Sequence, residues 1–159
     1  MSIGNHEALI RPYFASFFTG SIDIYDRLLH PRFYVCHLRD KGTPVAEARR
    51  GPEPFKRALP AFRAAFPDGQ ITVDTMVGDA EIAIASWRFQ GSHHGEFLGV
   101  APTGKQITYP GVNGFRIQDS QLIESWDLQD SLGLFQQLGL LPETAAIFAA
   151  HQARTSTGS

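Results

Sequence analysis

Apolar side chains recur at helical spacing in the first part of the chain, alternate between Gln70 and Asp130, and return to helical spacing at the end. Leu9, Ile10, Tyr13, Phe14, Phe17 and Phe18 form one stripe wide enough to pack against a core, which predicts a helix from Ile3 to Phe18 ended by Gly20. SIDIYDRLLHP reads as a short second helix between Ser21 as N-cap and Pro31 as stop. RFYVCHL reads as a strand. Pro52 or Pro54 opens a third helix to Phe66, and Pro60 inside it predicts a kink or an early break. Four segments then alternate with β-branched or aromatic residues, QITVDTMVGD, AEIAIASWRFQGSHHGEF, KQITYPGVNGFRIQD and SQLIESWDLQD, separated by Gly-Asp and Asp-Ser turn signals. They predict an antiparallel meander. Helical spacing resumes from Leu132 to Ala150 with breaks at Gly139 and Pro142. Helices first and strands afterwards make an α+β fold, one domain over residues 1–151, with residues 152–159 expected to be a disordered tail.

The last strand carries the first chemical signal. Strict alternation along QLIESWDLQD sets Leu122, Glu124, Trp126, Leu128 and Asp130 on one face, and their large apolar members make that face the inward one. Asp130 then lies in an apolar setting, where burial raises a carboxyl pKa toward the range a general acid/base needs. It equally suits the N-cap of the helix SLGLFQQLG that follows. A bulged turn at Asp119–Ser120 brings Arg116 near Glu124, so Glu124 reads as a paired structural carboxylate.

Composition removes several classes. With 159 residues, 43% hydrophobic, and a formal charge of -2, the chain builds a full core but has no broad cationic surface for a phosphate backbone. A hydrophobic small molecule is the expected partner. No window approaches the roughly 20 apolar residues of a membrane span, and the N-terminal stripe holds His6, Glu7 and Arg11, unlike a cleaved leader. The lone Cys36 and the spacing of the histidines offer neither a disulfide nor a metal site. These features place the chain in the cytoplasm.

GSHHGEFLGVAPTGKQI, FRIQDSQLIESWDLQDSLGLFQQLG and FKRALPAFRAAFPDGQITVD together resemble the SnoaL-like polyketide cyclase family, of the nuclear transport factor 2 superfold, over nearly the whole chain. The resemblance implies a curved antiparallel sheet forming a cone covered by N-terminal helices, an interior pocket, and no metal or organic cofactor. It also implies homodimers through the outer sheet face, where Phe115, Ile117 and Ile123 are the candidates. Family members close rings of aromatic polyketides by intramolecular aldol condensation, with an aspartate near the end of the last strand as general acid/base. That aspartate matches Asp130, and Leu128 two residues earlier is apolar where characterised cyclases bring polar groups. The expected activity is a cofactor-independent cyclase or isomerase acting on a hydrophobic carbonyl compound. The same superfold also houses epoxide hydrolases and non-catalytic binding or dimerisation modules.

Further pocket candidates carry a plainer alternative each. His37 matches a polar pocket position of the family, or is a core histidine satisfied by the backbone. His93 shares a face with Trp87 and Phe89 and lines the pocket or fastens the adjacent loop. Trp87, Phe89 and Trp126 form an aromatic wall for a flat substrate or fill the core. Tyr109, beside Pro110 and Gly111, marks a strand irregularity and is a candidate to turn a hydroxyl into the pocket, a choice the sequence leaves open.

Overall fold

The computed structural model describes residues 4–156. Helix α1 (Gly4–Phe18) buries the predicted stripe, with Ile10, Tyr13 and Phe14 almost wholly enclosed. Gly20 closes it at φ +73°, a left-handed value that favours glycine. The helix's last carbonyls, which have no donor within the helix, are taken by one side chain: Arg63 donates to the carbonyls of Ser16, Phe17, Thr19 and Gly20 at 2.7–3.1 Å. This ties α1 to α3 (Pro52–Ala65). Helix α3 runs unbroken through Pro60, contrary to expectation. Pro60 is exposed, so the carbonyl it leaves without a donor can bind water.

Helix α2 is shorter than predicted, Ile24–Leu28, because the chain turns extended at Leu29 and strand β1 (Leu29–His37) passes through Pro31. Strand β1 is an edge, where a missing N–H costs no ladder bond. Strands β2 (Gln70–Gly78), β3 (Ile82–Ser92), β4 (Gln106–Gln118) and β5 (Gln121–Gln129) form the predicted meander. The sheet order is β1-β5-β4-β3-β2, curved and open, with every pair antiparallel except β1 with β5. The expected all-antiparallel sheet is thus corrected at one edge. Helix α3 and strands β2 to β4 lie between β1 and β5 in sequence and provide the long connection that parallel strands require.

Asp119 and Ser120 both adopt positive φ, 51° and 60°, the twist of a tight two-residue hairpin. A bulge follows at once: Ile117 faces Leu122 and Arg116 faces Glu124, so Ile123 is the extra residue. From there on the inward set is Ser125 and Asp127, while Glu124, Trp126 and Leu128 point to the outer face. Tyr109 lies on a regular stretch of β4 in register with Phe89, without the irregularity expected at Tyr109–Gly111.

The core fills the space between the concave sheet face and the helices. Phe115 sits edge-on to Tyr13 and Phe14 at 5.2 and 5.8 Å, and Phe89 meets Phe18, Phe66 and Tyr109. Phe115 and Ile117, expected on the outer face, are 1% and 6% exposed and belong to this interior. Helix α4 (Ser131–Leu138) packs on β4 and begins at Asp130, whose Oδ1 accepts from the Gly133 N–H at 2.8 Å. Asp130→Ala is expected to cost about 1 kcal/mol, read as a lower urea midpoint with an unchanged slope. Helix α5 (Thr144–Ser156) extends into the segment expected to be disordered, and residues 157–159 lie outside the described residues.

Candidate active site

The parallel pairing of β1 with β5 places His37 opposite Asp127 at the end of both strands. Their side chains meet, His37 Nδ1 lying 3.1 Å from Asp127 Oδ2. Asp127 is 15% exposed and His37 61%, so the carboxylate lies inside and the imidazole at the mouth. Burial holds the Asp127 carboxyl above its ordinary value, while the charge and hydrogen bond of His37 pull the other way. His37 is the side chain that hydrogen-bonds the Asp127 carboxylate, which also feels its own backbone N–H.

Both residues line a cavity of about 330 Å³ with Val35, Asp40, Thr43 and Arg49. That is the lower end of the range for small-molecule sites. A more open depression of about 550 Å³ between the hairpin ends, lined by Glu81, Arg116 and Asp119, does not contain these groups. The Asp127 cavity is the one that brings a desolvated carboxylate to an accessible space.

Behind Asp127 runs a closed polar chain. Trp87 Nε1 donates to Asn113 Oδ1 at 2.6 Å, Asn113 Nδ2 donates to Ser125 Oγ at 2.9 Å, and Ser125 hydrogen-bonds the Tyr13 hydroxyl. Asn113 and Ser125 are buried and would cost free energy if unpaired, so the chain fixes the strand segment that presents Asp127. Burial first and the Asp127 charge second push the Tyr109 hydroxyl up to about 12, which keeps a neutral O–H donor near the carboxylate. On the outer face, Glu124 is 7% exposed in its side chain and paired with Lys41 and with Arg116. Lys41 also lies 5.7 Å from the Trp126 ring centre. These contacts fasten the segment after β1, and with it Asp40 and Thr43, to β5.

The residues singled out in the sequence fall in different parts of the fold. His37 and Tyr109 are near Asp127. Trp87 and Phe89 are inward but belong to the aromatic core, Trp87 reaching the site only through Asn113. Trp126 and Leu128 are turned to the outer face, Leu128 60% exposed, so neither lines this cavity. Asp130 is exposed and takes the capping alternative. His93 is buried and fastens the loop before β4: its Nδ1 accepts from the Thr103 N–H at 3.3 Å and lies 3.0 Å from the Thr103 hydroxyl. Asp127 and Ser125 escaped sequence reasoning because strict alternation put β5 in the wrong phase after Ile123, and Asn113 and Tyr13 join them only through tertiary contacts. The Asp-Ser turn was the available signal, since a bulge beside it reverses every later position.

No group of three or more His, Cys, Asp or Glu among the described residues is placed to hold a metal ion. No helix among them is long and apolar enough to cross a membrane.

Comparison with known proteins agrees with this architecture. The family model for the SnoaL-like polyketide cyclase matches residues 7–138. The chain is 25% identical over 133 residues to the aklanonic acid methyl ester cyclase AcmA of Streptomyces galilaeus, covering 83% of this chain and 89% of that one. Among solved structures, TsrD of Streptomyces laurentii is 26% identical with a TM-score of 0.75, over 89% of this chain and 99% of the other. AclR of Streptomyces galilaeus, at 21% identity, shares the fold with a TM-score of 0.77 over 98% and 96% of the two chains. With its meander, its helical cover and a family match over most of its length, the chain belongs to the SnoaL-like polyketide cyclase family.

Proposed function

We propose that this protein is a cofactor-independent cyclase or isomerase in which Asp127 removes a proton α to a carbonyl of a hydrophobic substrate. The observation that carries this reading is the largely buried Asp127 carboxylate, oriented by His37 and lining a ligand-sized cavity. A general base must keep one oxygen free for the proton it takes, and desolvation brings its pKa closer to the working pH. His37 holds the carboxylate's orientation, and the two titrate as a coupled pair. The enolate carbon then attacks a second carbonyl of the same molecule, forming the ring bond, and the new alkoxide takes a proton. Without a second carbonyl in reach, reprotonation of the enolate gives isomerisation.

AcmA, by its name, is a cyclase of aklanonic acid methyl ester, and that compound together with its free acid is the first pair of probes for this chain. Deuterium uptake at the carbon between its carbonyls, followed by NMR in D2O, tests proton removal separately from ring closure. Exchange above the buffer rate with wild type, and at the buffer rate with Asp127→Asn, is the expected result. Exchange that survives in Asp127→Asn would remove the base from the proposal. Homodimerisation through the outer sheet face belongs to the same reading, with exposed Ile84 and Leu128 on that face in place of Phe115 and Ile117. Light scattering of the purified chain checks it.

A further inference from the structure

We infer that the substrate carries an anionic group, a carboxylate in its simplest form, and that Arg49 binds it. This rests on Asp127 and His37 marking the reactive end of the cavity, and it concerns the other end. The segment from Leu38 to Arg50 holds four permanent cations, Arg39, Lys41, Arg49 and Arg50. Three are committed elsewhere. Arg39 lies 3.3 Å from Asp40, and Lys41 is paired with the buried Glu124. Arg50 pairs with Glu47, donates to the carbonyls of Val45 and Arg32, and stacks 4.9 Å from the Tyr34 ring. Arg49 has no carboxylate within ion-pair distance among the described residues, yet it lines the cavity that contains Asp127.

The charges lining that cavity make the same point. Its carboxylates are Asp40, ion-paired with Arg39 from outside the lining, and Asp127, hydrogen-bonded to His37. Arg49 is the lining guanidinium with no ion-pair contact among the described residues. It sits in a short 3-10 turn, Glu47–Arg49, whose backbone closes through the Arg49 N–H to the Ala46 carbonyl. A planar fork of donors facing a small cavity suits a carboxylate, which it binds through two parallel hydrogen bonds. A ligand anion there also offsets the field of Arg49 on Asp127, while the neutral carbonyl portion lies toward the base. A methyl ester at that position keeps only weak acceptors and has no charge, so the arrangement selects the acid over its ester.

The test uses the full chain and a matched pair, aklanonic acid and its methyl ester, with affinity measured calorimetrically at low and high salt. Wild type is expected to bind the acid at least tenfold more tightly than the ester, with the difference shrinking in high salt. Arg49→Gln should erase the preference by weakening the acid alone, and Arg49→Lys should restore part of it, since charge without the fork is a poorer match. Equal affinities for acid and ester in wild type, or a preference untouched in Arg49→Gln, overturn the inference. The binding readout does not depend on turnover. An acid preference lost in Arg49→Gln without any α-proton exchange keeps this inference and sinks the catalytic one. Exchange that requires Asp127 with no acid preference does the reverse.

Discussion

Asp127→Asn is expected to lower kcat by about 10²–10⁴, the usual share of a positioned general base, while Asp130→Asn leaves kcat within a few-fold of wild type. Asparagine keeps the size and the hydrogen bond toward His37 but takes no proton. At position 130 the same substitution preserves function for a different reason: asparagine caps helices about as well as aspartate, so α4 keeps its start. The pair of variants separates the two carboxylates, three residues apart, that sequence alone did not separate. Equal losses at both positions would mean that helix α4, and not the Asp127 carboxylate, controls the rate.

The pH dependence adds a signed test. Asp127 must be ionised to act, and burial raises its pKa from the ordinary 3.8, so kcat/KM should rise with pH along a limb lying above ordinary carboxylates. His37 pulls that pKa down, so His37→Gln should move the limb to higher pH. Stability runs the other way. Between the unfolded and folded pKa values the native state binds more protons, so stability is greatest below the ordinary carboxyl pKa and falls as pH rises through the folded value. Asp127→Asn removes that loss and is therefore expected to be at least as stable as wild type at neutral pH. A catalytic group that costs stability behaves in this way. A variant less stable than wild type at neutral pH would show that the carboxylate is held mainly for structure.

The largest effect on stability is expected at Phe115. Its ring is enclosed by Tyr13 and Phe14 on α1, and Phe115→Ala should destabilise the chain by about 3–5 kcal/mol, the range for truncating a buried aromatic. Against a total of about 5–15 kcal/mol for an ordinary domain, that is a large fraction, visible as a much lower urea midpoint. An outer-face Phe115, as expected for a dimer contact, would show a change in oligomeric state with little loss of monomer stability. That result would contradict the register of β4.

The sequence was informative wherever physics acts over a few residues. The stripe from Leu9 to Phe18 is one face of one helix, and the four alternating segments after Gln70 are local patterns of period two, so both were readable without knowing their partners. The motifs that resemble the cyclase family likewise survive as linear text. The tertiary structure decided the phase of each strand and which strands meet. One extra residue at Ile123 reverses the faces of β5, and this alone moves the inward carboxylate from position 130 to position 127. Pairing β1 beside β5 brought His37 to Asp127 across 90 residues of chain, and folding back the Leu38–Arg50 segment set Arg49 against the same cavity. Local periodicity records what each segment buries. A site made from strand ends and a returning loop depends on register and long-range pairing, which no window of the sequence contains.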